Sequence, residues 1–503
     1  MDLSNLSRYR EGNRLEVKSA QGGLPGSVWE TVSAFANTEG GVILLGVKEQ
    51  GNGMLEAVGL SNASKMLDDF WNAALSKDKL SSRFIDEENA RIDMVDEKEI
   101  IVIEIPRADR HIRPIFLNKD ILGETWRRTH TGDHRCSREE VQSMLRDAEA
   151  TSEDKRIAKS ADMSRIDYET VGRYRRRFEA KRENHVWNEL PDNKFLQCIG
   201  AAKVDEKGVL RPTYAGLIIF GQDRWITDEF PHYFLDFRQE TSGNTRWEDR
   251  FTSITGDWSG NVYDFYYRAY NKLQQALKVP FRLEGIERID DTPAHQALRE
   301  ALVSCVTNAN YHERRGIVCV WKEDALVIEN PGDFRIPIED AMKPGESDPR
   351  NETMLKIFAL VDAGERAGSG ISKIFSGWEE AGYGKPSYSV KYEPDRTTLT
   401  LPFGKSNALT TEPDSQYDRI KALPEDIYKK LSENEKTAIH IASVSDKVTT
   451  KALADKTGIS TRTSSTVLKG LTAKGILRWQ GKSSRDPHQY YELVSEDFGV
   501  TSE

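Results

Sequence analysis

The chain is 503 residues long, 38% hydrophobic and 30% charged, with a formal net charge of −10. Those figures exclude collagen-like and wholly disordered chains and predict two to four globular domains. No apolar run approaches the ~20 residues of a membrane helix, and the first residues lack the apolar segment of a signal peptide. Four dispersed cysteines (Cys136, Cys198, Cys305, Cys319) form no CxxC pair, which argues against a zinc knuckle and predicts a reduced, cytoplasmic setting. Acidity of the whole chain opposes nucleic-acid affinity, but charge is uneven. Residues 1–150 carry 20 basic against 26 acidic groups, whereas 431–490 carry 10 against 5, so the C-terminal stretch is a basic island on an acidic protein.

In chain order, Val28–Asn37 has helical spacing (Val28, Val32, Phe35) and leads into a buried strand, Val42–Val47. Ile100–Ile105 is a second buried strand. Ser137 with Glu139 and Glu140 opens an amphipathic helix ending near Ala148. The polar stretch Ala150–Ser164 reads as a linker. Asp167–Arg182 is a helix carrying RYRRRFEAKR, read as a solvated basic face ahead of a phosphate contact. Gly216–Gly221 reads as a strand between glycines. Ala294–Val306 is an apolar-periodic helix, followed by a hairpin of Ile317–Trp321 and Ala325–Glu329. Lys405–Glu425, rich in Thr, Ser, Pro and Asp, is a second linker.

Three constellations bear on function. In the first, Glu11, Glu16 and Lys18 precede the stretch Ala34–Glu49 (AFANTEGGVILLGVKE), where Asn37, Thr38, Gly40 and Gly41 form a glycine-relaxed turn that lets backbone approach a ligand. Three converging carboxylates need a divalent cation to offset their repulsion, and a neighbouring lysine can steady a phosphate. The pattern E-x4-ExK followed by SAFANT-x-GG-x-(apolar)3-GV resembles the AlbA-related domain of the Schlafen family. The resemblance implies nucleic-acid binding. In those Schlafens that are metal-dependent RNases it implies an Mg²⁺ or Mn²⁺ site at Glu11, Glu16 and Glu49, with Lys18 assisting. The family's third acid is commonly Asp, so Glu49 departs by one methylene.

The second constellation is REALVSCVTNANY (Arg299–Tyr311), VIENPGD (Val327–Asp333) and AGSGISKI (Ala367–Ile374). With TYAGLIIFG and DPRNETMLKIFALV, their order resembles the ATPase-like domain at the C-terminus of RecG-like proteins, a divergent relative of histidine-kinase and gyrase ATPases. No GxxxxGK[ST] is present, so there is no helicase engine. The resemblance implies ATP or another nucleotide held by Glu300, Ser304, Asn330, Gly332, Gly368 and Gly370. Here Ser304 stands where active members carry the metal-ligating Asn, and Asn330 where they carry the adenine-reading Asp. A degenerate site without hydrolysis is the expectation. Asn308 and Asn310 form an alternative ligand set.

The third spans Leu431–Val494: a helix over Ser432–Ile441, a second over Thr449–Thr457, a turn at Gly458–Ser460, a third helix over Thr461–Lys474, then two strands around the basic loop Lys482–His488. This is the winged-helix order. Arg462 and Thr463 sit where a recognition helix begins, and Lys469, Lys474, Arg478, Lys482 and Arg485 are placed to reach phosphates. The pattern ADKTGIS-x-RT-x4-L-x2-L resembles many bacterial regulators.

The fold class read from the sequence is therefore multidomain α+β. It comprises a mixed-sheet AlbA-related domain (1–148), an ATPase-like α/β sandwich (165–404) and a C-terminal winged helix-turn-helix (425–497). Two functions follow: a homo-oligomeric, nucleic-acid-binding transcriptional regulator, with duplex DNA as partner and RNA open, or a divalent-metal-dependent endonuclease cutting tRNA or DNA in phage defence. No membrane partner is expected.

Overall fold

The computed structural model describes residues 12–404 apart from 52–53, 130–131, 241–246, 278–282, 285–286, 289–290, 344, 365–369 and 393, and residues 431–493 apart from 446, 475 and 482–488. The chain is mixed α+β and divides into two compact units, residues 1–145 with 409–503, and residues 146–408. Among the described residues no helix is long and apolar enough to cross a membrane.

In the N-terminal part, β1 (Leu15–Lys18), α1 (Val28–Ala36), β2 (Gly41–Leu45), β3 (Val47–Glu49), β4 (Leu55–Ala57), α2 (Ala63–Ala74), β5 (Ala90–Val95) and β6 (Lys98–Ile105) come first. A ribbon of β7 (Trp126–Thr129) and β8 (Gly132–Arg135) and the helix α3 (Arg138–Ala148) follow. The main sheet has the order β1-β2-β6-β5, with β1 parallel to β2 and the other pairs antiparallel. Its register puts Leu15 and Val17 on one face, with Leu44, Ile100 and Val102, against Val47 and Leu55 of the β3–β4 ribbon. Glu16 and Lys18 therefore point to the other face, where Ile43, Leu45, Ile101 and Ile103 meet Val32 and Phe35 of α1. Ser137 and Glu140 form a reciprocal cap on α3, at 2.7 and 3.2 Å, as their spacing predicts.

The second unit begins earlier than its apolar pattern suggested. The stretch 150–164 is packed rather than a linker: Ser152, Asp154, Ala158 and Ala161 are all buried. Asp154 accepts from the Met354 amide at 2.9 Å and from the Ser152 hydroxyl, so polar residues here serve an internal helix end instead of water. Burial raises the Asp154 pKa, against the lowering pull of those hydrogen bonds. Then come α4 (Tyr168–Lys181), α5 (Asp192–Ile199), the paired strands β9 (Ala202–Val204) and β10 (Leu210–Pro212), α6 (Tyr214–Phe220) and α7 (Asp223–Glu229). The segment read as a glycine-bounded strand is thus the helix α6. Thr213 caps it by accepting from the Gly216 amide at 3.1 Å, and its residues from Ala215 to Phe220 are all buried, so the run shows no periodicity to betray it. The basic helix α4 is not a free face either. Arg173 pairs with Asp264 at 2.6 Å, Arg175 with Asp192 at 2.7 Å, and Arg182 donates to the Leu360 carbonyl at 3.1 Å.

A six-stranded sheet follows, built from β11 (Leu235–Gln239), β12 (Asp249–Thr252), the helix α8 (Val262–Leu273), a short ribbon of β13 (Leu283–Glu284) and β14 (Glu287–Arg288), then α9 (Pro293–Asn308), β15 (Ile317–Trp321), β16 (Ala325–Pro331), α10 (Ile338–Ala341), α11 (Glu352–Ala359), α12 (Gly370–Glu380), β17 (Ser387–Lys391) and β18 (Arg396–Pro402). The sheet order is β12-β11-β15-β16-β18-β17, with only β11 and β15 parallel among its pairs. Gly377 lets α12 close on α9: a Cβ there would lie 2.7 Å from the Pro293 carbonyl oxygen. One core, including Tyr174, Phe178, Phe220, Tyr263 and Trp378, joins the helices to the sheet.

The C-terminal part holds α13 (Glu433–Ser445), α14 (Thr450–Thr457), α15 (Thr461–Ala473) and the antiparallel pair β19 (Leu477–Gln480) and β20 (Tyr490–Leu493). Thr449 and Ser460 cap α14 and α15, and Gly458 ends α14 at φ 72°, a conformation glycine adopts without strain. Leu453, Leu468, Leu471 and Tyr491 fill the core. The Ser464 hydroxyl is fully buried, with no hydrogen-bond partner among the described residues. Ser464→Ala should therefore raise stability by about 1 kcal/mol, read as a higher denaturant midpoint for this part of the chain. A lower midpoint would show that the hydroxyl is satisfied in solution.

Candidate functional site

Three places gather residues that the sequence singled out. In the N-terminal part the motif residues turn out to build the fold. The Asn37 amide donates to the carbonyls of Ile115 at 2.8 Å and Trp126 at 3.0 Å, and its oxygen accepts from the Ile115 amide at 2.8 Å. Thr38 accepts from the Arg128 amide at 3.1 Å. The glycines make room for the chain itself rather than for a ligand. A Cβ on Gly40, at φ 73°, would lie 2.7 Å from the Ile105 carbonyl oxygen, and one on Gly41 would strike the Phe35 ring.

Arg128, its side chain 1% exposed, is the hub of this part. Its guanidinium pairs with Glu16 and Asp133, each at 2.9 Å, donates to the Gly12 carbonyl at 3.0 Å, and lies over the Phe35 ring at 5.1 Å. Lys18 holds the other Glu16 oxygen at 2.8 Å. Glu16 is thus ion-paired within its own domain, with Arg128 shared between it and Asp133. Glu49 stands exposed on the β3–β4 ribbon, on the side of that strand whose Val47 packs against the sheet face opposite Glu16. Glu11 lies outside the described residues. Among those described, no three His, Cys, Asp or Glu side chains gather closely enough to hold a metal ion. Of the expected ligands, Glu16 is ion-paired and Glu49 is exposed, and Lys18 is engaged by Glu16.

The second place is a cleft of about 970 Å³, counted to include its open mouth, between α9, the edge of the sheet and the chain from Asp333 to Pro349. It brings together Glu300, Ser304, Asn330 and Gly370, which lie far apart in sequence, and adds Asn308. Gly332, at φ 96°, shapes the turn after β16: a Cβ there would fall 2.6 Å from Arg350. Gly368 lies outside the described residues, and Asn310 is buried with its backbone amide bonded to Pro331. The Asn308 amide donates to the Ser304 carbonyl at 2.9 Å and lies 3.4 Å from the Ser304 hydroxyl. Burial raises the Tyr388 pKa against the lowering pull of Ser304, with burial the stronger.

Sequence reasoning missed the arginines beside this cleft. Arg350 makes a bidentate pair with Asp147 at 2.9 and 2.7 Å and donates to the Asn308 carbonyl at 2.7 Å. Arg335 donates to the carbonyls of Pro349 and Asp147, both at 3.1 Å, and pairs with Asp348 at 3.4 Å. Burial disfavours the Arg350 charge, yet Asp147, then Asp333 and Asp395, hold its pKa above the ordinary value. The only sequence signal was three aspartates spaced around two arginines, a pattern common on any surface.

The third place is the face of α15. Arg462, Thr466 and Lys469 are exposed at one-turn spacing, with Thr463 beside them, while Ser464, Leu468 and Leu471 are buried on the other side. Lys474 pairs with Glu435 at 2.6 Å, so its charge is partly engaged within the domain. Arg478 is exposed on β19. Lys482 and Arg485 lie outside the described residues.

Comparison with known proteins follows the same division. Residues 11–137 match the family described as "Schlafen, AlbA_2", and residues 317–401 match "Putative ATP-dependent DNA helicase recG C-terminal". Residues 142–236 match a domain of unknown function. No curated protein matches the chain. Among solved structures, the N-terminal domain of a RecG-related protein from Nitrosomonas europaea is 31% identical, over 27% of this chain and 90% of that one, with a TM-score of 0.21. The DIP2311 protein from Corynebacterium diphtheriae is 14% identical, over 96% of this chain and 94% of that one, with a TM-score of 0.39. The chain thus carries a region of the Schlafen AlbA_2 family near its N-terminus and, further on, a region similar to the recG C-terminal family.

Proposed function

We propose that the protein is a nucleic-acid-binding regulator whose C-terminal winged-helix module docks duplex DNA. The observation that carries this reading is the face of α15. Between Lys456 and Arg485 the sequence holds seven basic residues and no acidic one, on a chain of net charge −10. Arg462, Thr463, Thr466 and Lys469 stand exposed on the helix that such a module inserts in the major groove. Glu16 is held within its own domain by Lys18 and by Arg128, which it shares with Asp133, and this supports the regulator reading over the metal-dependent nuclease.

Binding should be measured on the full chain as a function of salt. Lys469→Ala should lower the salt slope by about 0.9 and weaken all duplexes alike. Arg462→Ala should change which sequences are preferred. Charge reversal of both, Arg462→Glu with Lys469→Glu, should reduce affinity more than tenfold. Unchanged duplex binding by that double variant would reject the module as the DNA-binding element. Cleavage of tRNA or DNA with Mn²⁺ or Mg²⁺, lost in Glu16→Gln, would transfer the function to the N-terminal domain.

A further inference from the structure

The side chains of α15 differ in which base edges they can recognise, and the choice is narrow. In the major groove, asparagine and glutamine pair with adenine, and aspartate and glutamate accept from cytosine. Arginine forks onto guanine, and a methyl group packs on the thymine methyl. The helix reads TRTSSTVLKGLTA, with no Asn, Gln, Asp or Glu. It therefore lacks the joined donor and acceptor that adenine needs and the carboxylate that suits cytosine. Exposed at its start are Arg462, flanked by Thr461 and Thr463, and Thr466 one turn on.

Among the described residues the Arg462 guanidinium makes no ion pair or hydrogen bond, so its planar set of donors is open to a partner. The threonine hydroxyls are not. The Thr466 hydroxyl donates to the Arg462 carbonyl at 3.1 Å, and the Thr463 hydroxyl shares a hydrogen bond with the Ser460 hydroxyl at 2.8 Å. Ser460 caps the helix, its oxygen also accepting from the Thr463 amide at 3.1 Å, so this bond belongs to the helix start. Both hydroxyls are turned back along the helix, which leaves the γ-methyls of two exposed side chains to meet a partner. Arg462 and Thr466 lie one turn apart, about 6 Å along the axis, which is less than two base-pair steps of ~3.4 Å. A guanine and a neighbouring thymine come within reach of the same turn.

We propose that α15 reads guanine through Arg462 and the methyl of a nearby thymine through Thr463 and Thr466, so that the preferred duplex carries both bases within about two base pairs of each other. The inference rests on α15 being the helix that enters the major groove.

The full chain should be used to select from duplexes with a randomised centre. The selected duplex is then remade with 7-deazaguanine for guanine, which replaces the N7 acceptor by a C–H, or with uracil for thymine, which removes only the methyl. The first exchange should weaken binding about tenfold and the second about fourfold. Arg462→Ala should abolish the 7-deazaguanine penalty and keep the uracil one. Thr463→Ser with Thr466→Ser keeps both hydroxyls and removes both methyls, so it should abolish the uracil penalty and keep the other. A selected site without guanine, or equal affinity for the three versions of the duplex, overturns the proposal while leaving duplex binding in place. A uracil penalty that survives in the double serine variant overturns the role given to the threonines. Binding to no duplex at all would overturn the assignment of α15 to the major groove, and this inference with it.

Discussion

Gly216→Ala is expected to leave the second unit unfolded. Gly216 lies inside α6, and a Cβ there would stand 1.8 Å from the Ala201 carbonyl oxygen and 2.7 Å from its carbon. Both are backbone atoms, and neither can retreat easily. The Ala201 amide is bonded to the Leu196 carbonyl at 2.8 Å, and the Ala201 oxygen accepts from the Thr213 amide at 2.9 Å. Thr213 is itself the cap of α6, so moving Ala201 away also pulls on the helix start. Relief needs a backbone shift of over an ångström in a core where every residue from Ala215 to Phe220 is buried. The cost should exceed the ~1–3 kcal/mol of ordinary overpacking and reach the ~4–5 kcal/mol that marks exceptional substitutions. That is comparable with the whole stability of many domains, ~5–15 kcal/mol. Gly172→Ala provides the control. It lies within α4, and its added methyl would meet nothing nearer than an Arg176 guanidinium nitrogen at 3.6 Å. It should be neutral or stabilising by up to about 1 kcal/mol. Soluble yield and hydrogen exchange of the 293–308 helix would separate the two, and a Gly216→Ala protein with native protection would show that the helix and Ala201 can move apart cheaply.

The contrast between these glycines shows what a sequence can and cannot convey. Helix ends are local, so Ser137 with Glu140 and the turn at Gly458–Ser460 marked helix boundaries that the structure reproduces. The hairpin of β15 and β16 was equally legible, because alternation and a polar turn lie within one short stretch. Burial on all sides is not local. The six residues from Ala215 to Phe220 carry the same apolar run in a helix as in a strand, and the choice is made by the surrounding core. Buried polar residues mislead in the opposite direction. Ser152 and Asp154 look like linker residues, yet they tie that stretch to the amides opening α11. At the candidate sites, the structure places Glu300, Ser304, Asn330 and Gly370, four of the six residues the resemblance grouped (the others are Gly332 and Gly368), around one cleft. The sequence could not foretell that Arg128 would claim Glu16, because Arg128 lies 112 positions downstream on the β7–β8 ribbon.

Asp147 carries the other large effect. Its carboxylate is the bidentate partner of Arg350, whose side chain is only 8% exposed, and it also lies 3.6 Å from Arg335. Arg350 is almost wholly withdrawn from water, so its charge depends on acceptors built into the fold: Asp147, the Asn308 carbonyl, and Asp333 at 3.6 Å. Removing one partner of a buried pair costs more than the pair contributes, since the remaining charge stays desolvated. Asp147→Ala should therefore destabilise the second unit by about 3–5 kcal/mol. Asp147→Asn keeps one accepting oxygen and loses the charge, so it should cost less, about 1–3 kcal/mol. Replacing both partners, Asp147→Leu with Arg350→Met, should recover part of the loss, because no uncompensated charge is left behind. The double-mutant cycle, measured by denaturant unfolding followed through hydrogen exchange in 293–308 and 352–359, isolates the pair from its neighbours. A double variant less stable than Asp147→Ala alone would mean that Arg350 is retained for its bonds to the Asn308 carbonyl and Asp333, which shape the cleft, rather than for its ion pair with Asp147.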